Sequence, residues 1–363
     1  MTHGVGVVAG ASLSSADIPP ARRGRIPAAW VPTAGGWAPV LAAGTVVAVQ
    51  IPYPLLPTGG AGRLWLTVGQ IVAFFVASVS HAALRRGWSF TSGYLAITLV
   101  VGLTAEAVGI RTGWPFGRYS YTDRLGPEIA GVPALIVLGW AMMTYPALLA
   151  ARRLTARWRT DRRLTAAAAS PRHHRGGDVA VMPAEGASTG GLGRAVVTAV
   201  AGGVLLAGWD LFLDPRMAAE GFWTWPPGGW PALNGIPLSN AVGWLAVGAL
   251  LVALVDRLPD PTRAQAAAHA ETDARPPAAA GNDDSRPDGS GGTDGDGGTD
   301  GDGVLLALLG WTYGSWVFAY LAFFRQPWVA LAGGVGMGLP LLALAVPAAA
   351  AVLRRRRAIR PAS

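Results

Sequence analysis

Long apolar runs separated by polar segments are the dominant pattern along this chain. Runs of about 20 residues or more, the length that crosses a bilayer, occur near residues 37–57, 64–84, 89–110, 131–151, 194–214, 235–256, 304–324 and 329–353. Their length and scarcity of charge predict an all-α polytopic membrane protein with about eight transmembrane helices. The first run is the weakest, because Pro52, Pro54 and Pro57 interrupt its second half.

The polar segments divide the helices into three groups, at 37–151, 194–256 and 304–353. The segments between and around them are predicted to be a disordered N-terminus (1–36), a disordered arginine-rich linker (152–193), a disordered Asp/Gly-rich linker (257–303) and a basic tail (354–363). The second linker contains GGTDGDGGTDGDG, which lacks the large aliphatic residues of a calcium-binding coil. A solvated tether is therefore favoured there.

Composition supports the membrane assignment and excludes several kinds of chemistry. Apolar residues make up 51% of the chain and charged residues only 14%, against about 25% charged in soluble domains. The chain has no cysteine, which excludes disulfides, thiolate metal sites and cysteine nucleophiles. All 29 basic residues are arginine, so Schiff-base chemistry on a lysine is excluded.

The distribution of arginine predicts the orientation in the cell membrane. With eight spans, 23 arginines lie on the side of the termini and six on the other side. This bias predicts that both termini are cytoplasmic. The net charge of +8 therefore reflects topology rather than binding of nucleic acid. The two long loops, 111–130 and 215–234, then lie on the non-cytoplasmic face, where we expect them to pack together.

One 35-residue segment occurs twice, at 106–140 and 210–244, with a shift of 104 positions. Both copies have an acid, then G-x-aromatic-x-aromatic, then P-x3-G-(V/I)-P-x5-G-W. Only six of the paired positions are identical, but all six are Gly, Pro or Trp, the residues that fix backbone shape or bury most area. The pattern predicts a diverged duplication of a helix–loop–helix unit, with both units in parallel orientation.

Three acids lie well inside the predicted spans, and a fourth, Asp256, lies at the cytoplasmic end of another span. Glu106 and Asp210 occupy matching positions in the two units, about one turn inside the outer boundary, and Asp214 shares a helix face with Asp210. A charge at the bilayer centre costs about 2.5–3.5 kcal/mol, so the presence of these acids inside the spans requires a structural or functional explanation. In a structural interpretation they pair with nearby arginines, namely Arg111, Arg118 or Arg216. In a functional interpretation, a desolvated carboxyl holds a proton and donates it to a substrate.

A histidine and a group of aromatic residues are the other candidates. His81 lies on the second span beside Ser78 and Ser80; a hydrogen-bonded packing histidine is favoured, with a proton relay as the alternative. Aromatic residues are concentrated in the two repeated loops: Trp114, Phe116, Tyr119, Tyr121, Phe222, Trp223, Trp225 and Trp230. They fit an interfacial belt, but their ring faces could also stabilise a carbocation.

The motifs of the two units resemble those of a known family. The first is E-x2-G-x3-G-x2-F-G-x-Y-x-Y from Glu106, and it is followed by D-x3-D-P from Asp210, W-x-W from Trp223 and G-I-P-x2-N-x2-G-W from Gly235. Together they are similar to the membrane proteins of carotenoid biosynthesis that include bisanhydrobacterioruberin hydratase and carotenoid 1,2-hydratases. The resemblance covers roughly residues 60–350.

This resemblance implies addition of water to the terminal C1=C2 double bond of an acyclic carotenoid, giving a tertiary alcohol. It implies no redox cofactor and no metal. The expected partners are the carotenoid, the lipid bilayer and, as candidates, other enzymes of the carotenoid pathway.

The chemistry of hydration leads to a hypothesis for the site. Protonation of the alkene makes a tertiary cation, which water then attacks. Asp210 or Glu106 is the predicted proton donor, and Asp214 is predicted to position the water. The predicted substrate-binding residues are Trp114, Phe116, Tyr119, Tyr121, Trp223, Trp225 and Asn240.

Two other classes of function fit parts of the pattern. Matched acids in a parallel repeat also fit a non-catalytic carotenoid carrier or a proton-coupled transporter. The D-x3-D motif at Asp210 and Asp214 suggests a membrane prenyltransferase, although the partner loop has only Glu106 where a second Asp-rich motif would be needed.

Overall fold

The computed structural model describes residues 34–169, 187–228, 231–265, 268 and 300–359. The chain divides into two compact units, Met1–Trp37 and Ala38–Ser363. In the first unit, a single 3-10 turn at Ala34–Trp37 is described. In the second, the long helices are α1 (Ala38–Gln50), α2 (Ala61–Thr112), α3 (Ala134–Ala169), α4 (Ala187–Ala219), α5 (Leu238–Asp256), α6 (Gly303–Ala322) and α7 (Pro327–Ile359).

The long helix α2 is two spans rather than one. Its 52 residues would extend about 78 Å, whereas the apolar part of a bilayer is about 30 Å thick. Gly87 interrupts it with φ 79 and ψ 168, outside the helical region. Seven described segments are long and apolar enough to cross a membrane, and the first of them, Ala38–Leu55, extends beyond the end of α1. Dividing α2 at Gly87 gives eight spans. The prediction of an all-α polytopic membrane protein is confirmed.

The two long loops are joined by short strands. These are β1 (Ser120–Tyr121), β2 (Glu128–Ile129), β3 (Val132–Pro133), β4 (Trp223–Thr224), β5 (Ala232–Leu233) and β6 (Ile236–Pro237). Strand β1 pairs antiparallel with β4, with Ser120 opposite Thr224 and Tyr121 opposite Trp223. The prediction that the two loops pack together is confirmed. We call the side of the protein that carries both loops the loop face.

The two repeated segments have the same local geometry. Each loop contains a two-strand hairpin, β2–β3 or β5–β6, that leads directly into a helix. The N–H groups of Ala134 and Leu238 each donate to the carbonyl seven residues earlier, at 2.9 Å in both cases. Trp140 and Trp244, which end the two segments, stack with ring centroids 3.9 Å apart. Common ancestry of the two segments stays a prediction.

Glycine allows helices α4 and α7 to approach closely. A Cβ added at Gly208 would lie against the backbone nitrogen of Met337 and 2.6 Å from the carbonyl carbon of Gly336. Backbone atoms cannot move aside as a flexible side chain can. Small residues at such positions are how helices pack in a bilayer, where the hydrophobic effect does not drive them together.

Gly208→Ala is therefore expected to destabilise the protein by about 1–3 kcal/mol, the cost of overpacking. Thermal unfolding in detergent measures this. Gly44→Ala is the matched control, because a Cβ there meets nothing within 4 Å and alanine is the better helix former by about 1 kcal/mol. Equal stability of the two variants would contradict the close approach of α4 and α7.

The predicted boundaries of the first linker are wrong. Residues 152–169 continue α3 and residues 187–193 begin α4, although both stretches were expected to be disordered. The segment after Ala151 is rich in Ala, Leu and Arg and has no Gly or Pro before Pro171, so its helix propensity is high. The remainder of that linker, 170–186, lies outside the described residues.

The second linker is also shorter than predicted, because residues 257–265 are held by ion pairs. Asp260 accepts from Arg86 at 2.8 Å and from Arg152 at 2.6 Å, and Arg86 also binds Asp302 at 3.1 Å. Burial opposes ionisation of Asp260, but these arginines and Thr262 hold its pKa below the ordinary value. Both ends of the linker are thus fixed beside α2. The Gly/Asp repeat, the N-terminus up to residue 33 and the tail from 360 lie outside the described residues.

Candidate active site

A cavity of about 610 Å³ lies among the helices in the half of the protein nearer the loop face. Most of its walls are apolar or aromatic side chains, and Glu106, Asp214 and Asn240 are among the few polar groups that line it. The volume is typical of sites for small organic ligands, which run from about 300 to 1,000 Å³. An apolar cavity that contains two acids inside a membrane protein is suited to a hydrophobic substrate that undergoes acid–base chemistry.

Three donors surround the Glu106 carboxyl, which is 3% exposed. One oxygen accepts from the hydroxyl groups of Tyr119 and Tyr121, the latter at 2.8 Å. The other accepts from the indole N–H of Trp140 at 2.9 Å. These contacts suit an ionised carboxylate held in a fixed orientation without a cation beside it.

The chain after α2 folds back to bring both tyrosines to Glu106. Gly113, at φ 79, ends the helix in the left-handed region, a conformation that glycine adopts without steric cost. Alternate residues of an extended segment point the same way, so Tyr119 and Tyr121 both reach the carboxyl. A Cβ at Gly109 would lie 2.9 Å from the Tyr119 hydroxyl, so glycine makes room for that ring.

Both tyrosines act as donors at physiological pH. Burial, followed by the charge of Glu106, raises the pKa of each hydroxyl well above its ordinary value. A phenol in this state keeps its proton, so neither tyrosine is suited to act as a base. Their role towards Glu106 is to hold the carboxylate in place.

Asp210 and Asp214 form a carboxyl pair on α4. The side-chain amide nitrogen of Asn240 donates to one oxygen of each carboxyl, at 2.6 Å each. Contact with the same nitrogen brings these two oxygens close together. Two carboxyls held this close favour one proton on the pair over two negative charges. The pair is therefore suited to hold a proton inside the membrane.

Only one member of this pair faces the large cavity. Asp214 lines it, whereas Asp210 lies behind, beside a small void of about 10 Å³. One Asp210 oxygen has no hydrogen-bond partner among the described residues. Of the two, Asp214 is the one that can contact a ligand in the cavity.

Aromatic rings from the two loops interleave over the acids. The Tyr119 ring lies 5.1 Å from that of Trp225, and the Tyr121 ring lies 5.9 Å from that of Trp223 at 90°. The two tyrosine rings are themselves 5.4 Å apart and perpendicular. The antiparallel pairing of β1 with β4 produces this alternation, because it crosses Y-x-Y with W-x-W. The result is a wall of electron-rich rings next to Glu106 and Asp214.

The structure brings most of the predicted site residues to this cavity. Those that line it are Glu106, Phe116, Tyr119, Tyr121, Asp214, Trp223, Trp225 and Asn240. Trp114 does not, since its side chain is 72% exposed. His81 lies in the opposite half of the protein, where its ring nitrogens contact the Tyr145 hydroxyl at 3.2 Å and the Gly301 carbonyl at 2.9 Å.

The structural interpretation of the acids does not fit their contacts. In the described part of the chain, no arginine pairs with Glu106, Asp210 or Asp214. Arg216 pairs with Glu220, and Arg111 donates to backbone carbonyls.

Several residues at the site were not singled out as functional from the sequence. Trp140 and Trp244 served there only as markers of the repeat, yet Trp140 binds Glu106 and stacks on Trp244. Their recurrence after the same spacing was a signal that could have found them. Gln50 and Gln70 also line the cavity, and no motif marked them.

A buried ion cluster fixes the helix ends beside the cavity. Glu220 accepts from Arg63 at 2.7 Å, from Arg216 and from the Gly59 N–H at 2.6 Å. The Arg216 guanidinium lies 4.4 Å from the centre of the Phe324 ring, which lines the cavity. Burial opposes ionisation of Glu220, but its backbone and arginine partners lower its pKa below the ordinary value.

Glu220→Gln is expected to cost about 3–5 kcal/mol at neutral pH, because it leaves two buried arginines without their anion. A carboxylate with a lowered pKa contributes stability above its unfolded pKa of about 4.3 and loses it as the pH falls through the folded value. The melting temperature should therefore fall on acidification below about pH 4.3, and by less in the variant. Glu128→Gln, at an exposed carboxyl on the loop face, is the control and should behave like the unmodified protein.

No three His, Cys, Asp or Glu residues in the described part of the chain lie close enough to share a metal ion. The polar groups in the cavity are instead arranged as hydrogen-bond donors around carboxyls.

Comparison with known proteins agrees with the motifs. The chain is similar to the bisanhydrobacterioruberin hydratase of Haloarcula japonica, with 31% identity over 152 residues. That match covers 42% of this chain and 40% of the relative, so the chain spans about two fifths of the length of that curated relative. No solved structure matches. Residues 64–276, more than half of the chain and including every acid of the site, match the family described as carotenoid biosynthesis protein, and the chain belongs to that family.

Proposed function

We propose that this protein hydrates the terminal C1=C2 double bond of an acyclic carotenoid. The observation that carries the proposal is that Asp214, one member of a carboxyl pair, and the separate carboxyl of Glu106 line the same apolar cavity. The family places the protein in carotenoid biosynthesis, and the printed name of the relative is that of a hydratase. Acid, apolar cavity and aromatic wall are the parts that such a reaction needs.

In the first step, Asp214 donates a proton to C2 of the substrate. The π electrons of the double bond form the new C–H bond, and the positive charge appears at C1, a tertiary centre. Asp214 is favoured over Asp210 as the donor because it lines the cavity. Asn240 holds both carboxyls, so Asp210 shares the negative charge that the transfer leaves behind.

In the second step, the protein stabilises the cation long enough for water to reach it. Glu106 supplies a negative charge that is already oriented by its three donors, so little reorganisation is needed as the cation forms. The faces of Tyr119, Tyr121, Trp223 and Trp225 attract a cation without forming a bond to it. Because the hydrogen bonds from its donors occupy Glu106, it is better suited to electrostatic stabilisation than to taking up a proton.

In the third step, water attacks C1 and the resulting oxonium loses a proton. The Asp210–Asp214 pair takes up that proton, which restores the starting state. One water is consumed and the proton is recycled, so no oxidant, reductant or other co-reactant enters the balance.

Expression in a lycopene-producing host tests the proposal. Mass analysis of the pigments should show a gain of one or two waters. In ¹⁸O-labelled water the new hydroxyl should carry the label, and in heavy water one non-exchanging deuterium should appear at the neighbouring carbon. Pigment of unchanged mass would contradict hydration, and a shifted double bond without added oxygen would indicate that the cation loses a proton instead.

A further inference from the structure

The exposed part of the cavity wall lies along two elements. The exposed residues in its wall belong either to the segment just after α1 or to α6, and they include Ile51, Leu55, Gly310, Gly314, Phe318 and Phe323. The side chains of Leu55 and Phe318 are 69% and 63% exposed. The wall residues contributed by α2, α3, α4, α5 and the loops are buried or half-buried. We call the opening between these two elements the seam.

The seam faces the lipid bilayer. Both of its sides belong to segments long and apolar enough to cross a membrane, Ala38–Leu55 and Gly303–Ala322. Exposed side chains on such segments meet lipid chains rather than water. On the loop face, in contrast, strands β1 and β4 pair, and their cavity residues Tyr121 and Trp223 are half-buried and buried.

We propose that the carotenoid enters sideways from the bilayer through the seam, and that its polyene chain lies along Gly310 and Gly314 while its end group reaches Asp214. This deepens the proposed function, on which the identity of the ligand rests. A carotenoid is dissolved in the bilayer before it binds, so a lateral opening spares it any passage through water. The aromatic rings of Phe318 and Phe323 at the seam suit a flat, conjugated chain.

Gly310 and Gly314 leave open space along one side of α6, which we call the track. They are one turn apart, about 6 Å along the axis, and a Cβ at either would meet nothing within 4 Å. They therefore do not serve close helix packing as Gly208 does. Glycine is a poorer helix former than alanine, and at these two positions no packing contact with the described residues offsets that disadvantage. Space for a ligand beside α6 accounts for their presence.

A polar clasp crosses the seam. The Gln50 side-chain oxygen accepts from the Trp311 indole at 2.6 Å and from the Ser315 hydroxyl at 3.3 Å. Hydrogen bonds between membrane helices are weak on average, so these two bonds can open and close. The clasp joins the end of α1 to α6 at the point where the ligand would pass.

Filling the track tests the proposal without disturbing the fold. Gly314→Leu and Gly310→Leu place a side chain in open space, so the protein should remain stable. Gly44→Leu on α1 is the matched control, because its Cβ also meets nothing within 4 Å and it does not line the cavity. We expect at least about a tenfold loss of carotenoid that co-purifies with the seam variants, and no change in the control.

Pigment binding and product formation are measured separately. The proposal of entry through the seam and the proposal of hydration can then be contradicted independently. Normal pigment and normal product in Gly314→Leu would overturn the seam whatever the chemistry. Unmodified protein that binds pigment without hydrating it would overturn the proposed function, and pigment lost from Gly314→Leu would still support the seam. If Gly314→Leu loses bound phospholipid but keeps carotenoid, the seam is a lipid site and the proposal is wrong.

A reversible lock provides a second test. The chain contains no cysteine, so Gln50→Cys with Ser315→Cys gives a single thiol pair across the seam. A short bis-methanethiosulfonate linker should then reduce carotenoid uptake from lipid vesicles by at least about tenfold, and dithiothreitol should restore it. Each single-cysteine variant, treated in the same way, is the control. Full uptake by the bridged protein would overturn passage through the seam.

Discussion

Asp214→Asn should reduce hydration by about 10²–10⁴-fold, the usual contribution of a general acid, while the protein stays folded and keeps its pigment. The amide has the size of the carboxyl and still offers an oxygen to the Asn240 side chain, which now donates to Asp214 at 2.6 Å. It has no acidic proton to give. The ratio of hydrated to unhydrated carotenoid in the producing host measures the effect, with co-purified pigment as the measure of binding.

Two further variants make this result specific. Asp123→Asn removes an exposed carboxyl on the same face that does not line the cavity, and it should leave the product unchanged. Asp210→Asn removes the partner of the proton but not the group that contacts the substrate, so its loss should be smaller than that of Asp214→Asn. A larger loss from Asp210→Asn would reverse the assigned roles. Loss of pigment together with product in Asp214→Asn would instead assign this carboxyl to substrate binding.

The spans and the depth of the acids could be predicted because each depends on local sequence. A run of about 20 apolar residues crosses a bilayer whatever its neighbours are, and an acid one turn from the end of such a run has its depth fixed. The motif spacing also predicted that Tyr119, Tyr121, Trp223 and Trp225 belong to one site. The sequence did not show that β1 and β4 cross them pairwise, because register depends on how the two loops meet.

The sequence analysis assigned the proton donor to Asp210 or Glu106 and the positioning of water to Asp214, whereas the proposed mechanism makes Asp214 the donor because it lines the cavity. Asp210 and Asp214 lie one turn apart on the same face of α4, so periodicity treats them alike. What separates them is the rotation of α4 against α5, which brings Asn240 to both carboxyls and leaves only Asp214 in the cavity. That rotation is set by close packing, as at Gly203, where a Cβ would lie 2.6 Å from the Leu245 carbonyl oxygen.

The cavity walls contributed by α1 and α6 could not be predicted from the sequence for a different reason. A wall that faces a greasy ligand needs only apolar side chains, and these are also what a lipid-facing helix needs. Gln50, at the end of α1, and Ser315, inside α6, are ordinary polar residues until the structure places them across the seam. Likewise, Trp140 resembles any other interfacial tryptophan until its indole N–H is seen to donate to Glu106.

Glu106→Gln should lower hydration by about 10²–10³-fold, the cost of removing a preorganised electrostatic group, without loss of pigment. Glutamine keeps the shape of the side chain. Its amide oxygen can accept from the Trp140 N–H, and its amide nitrogen can donate to the hydroxyl oxygens of Tyr119 and Tyr121 after these rotate. The negative charge is then the main thing removed. Glu128→Gln, at an exposed carboxyl, is the matched control.

Phenylalanine at either tyrosine separates the charge of Glu106 from its orientation. Tyr121→Phe keeps the carboxylate and removes one of its three donors, so the loss should be well below that of Glu106→Gln. If Glu106→Gln hydrates at the unmodified rate, the carboxylate has no electrostatic role. If Glu106→Gln lowers the hydration rate most and Tyr121→Phe lowers it less, the negative charge sets the reaction barrier. The hydrogen-bond donors around Glu106 then serve to keep that charge where the cation forms.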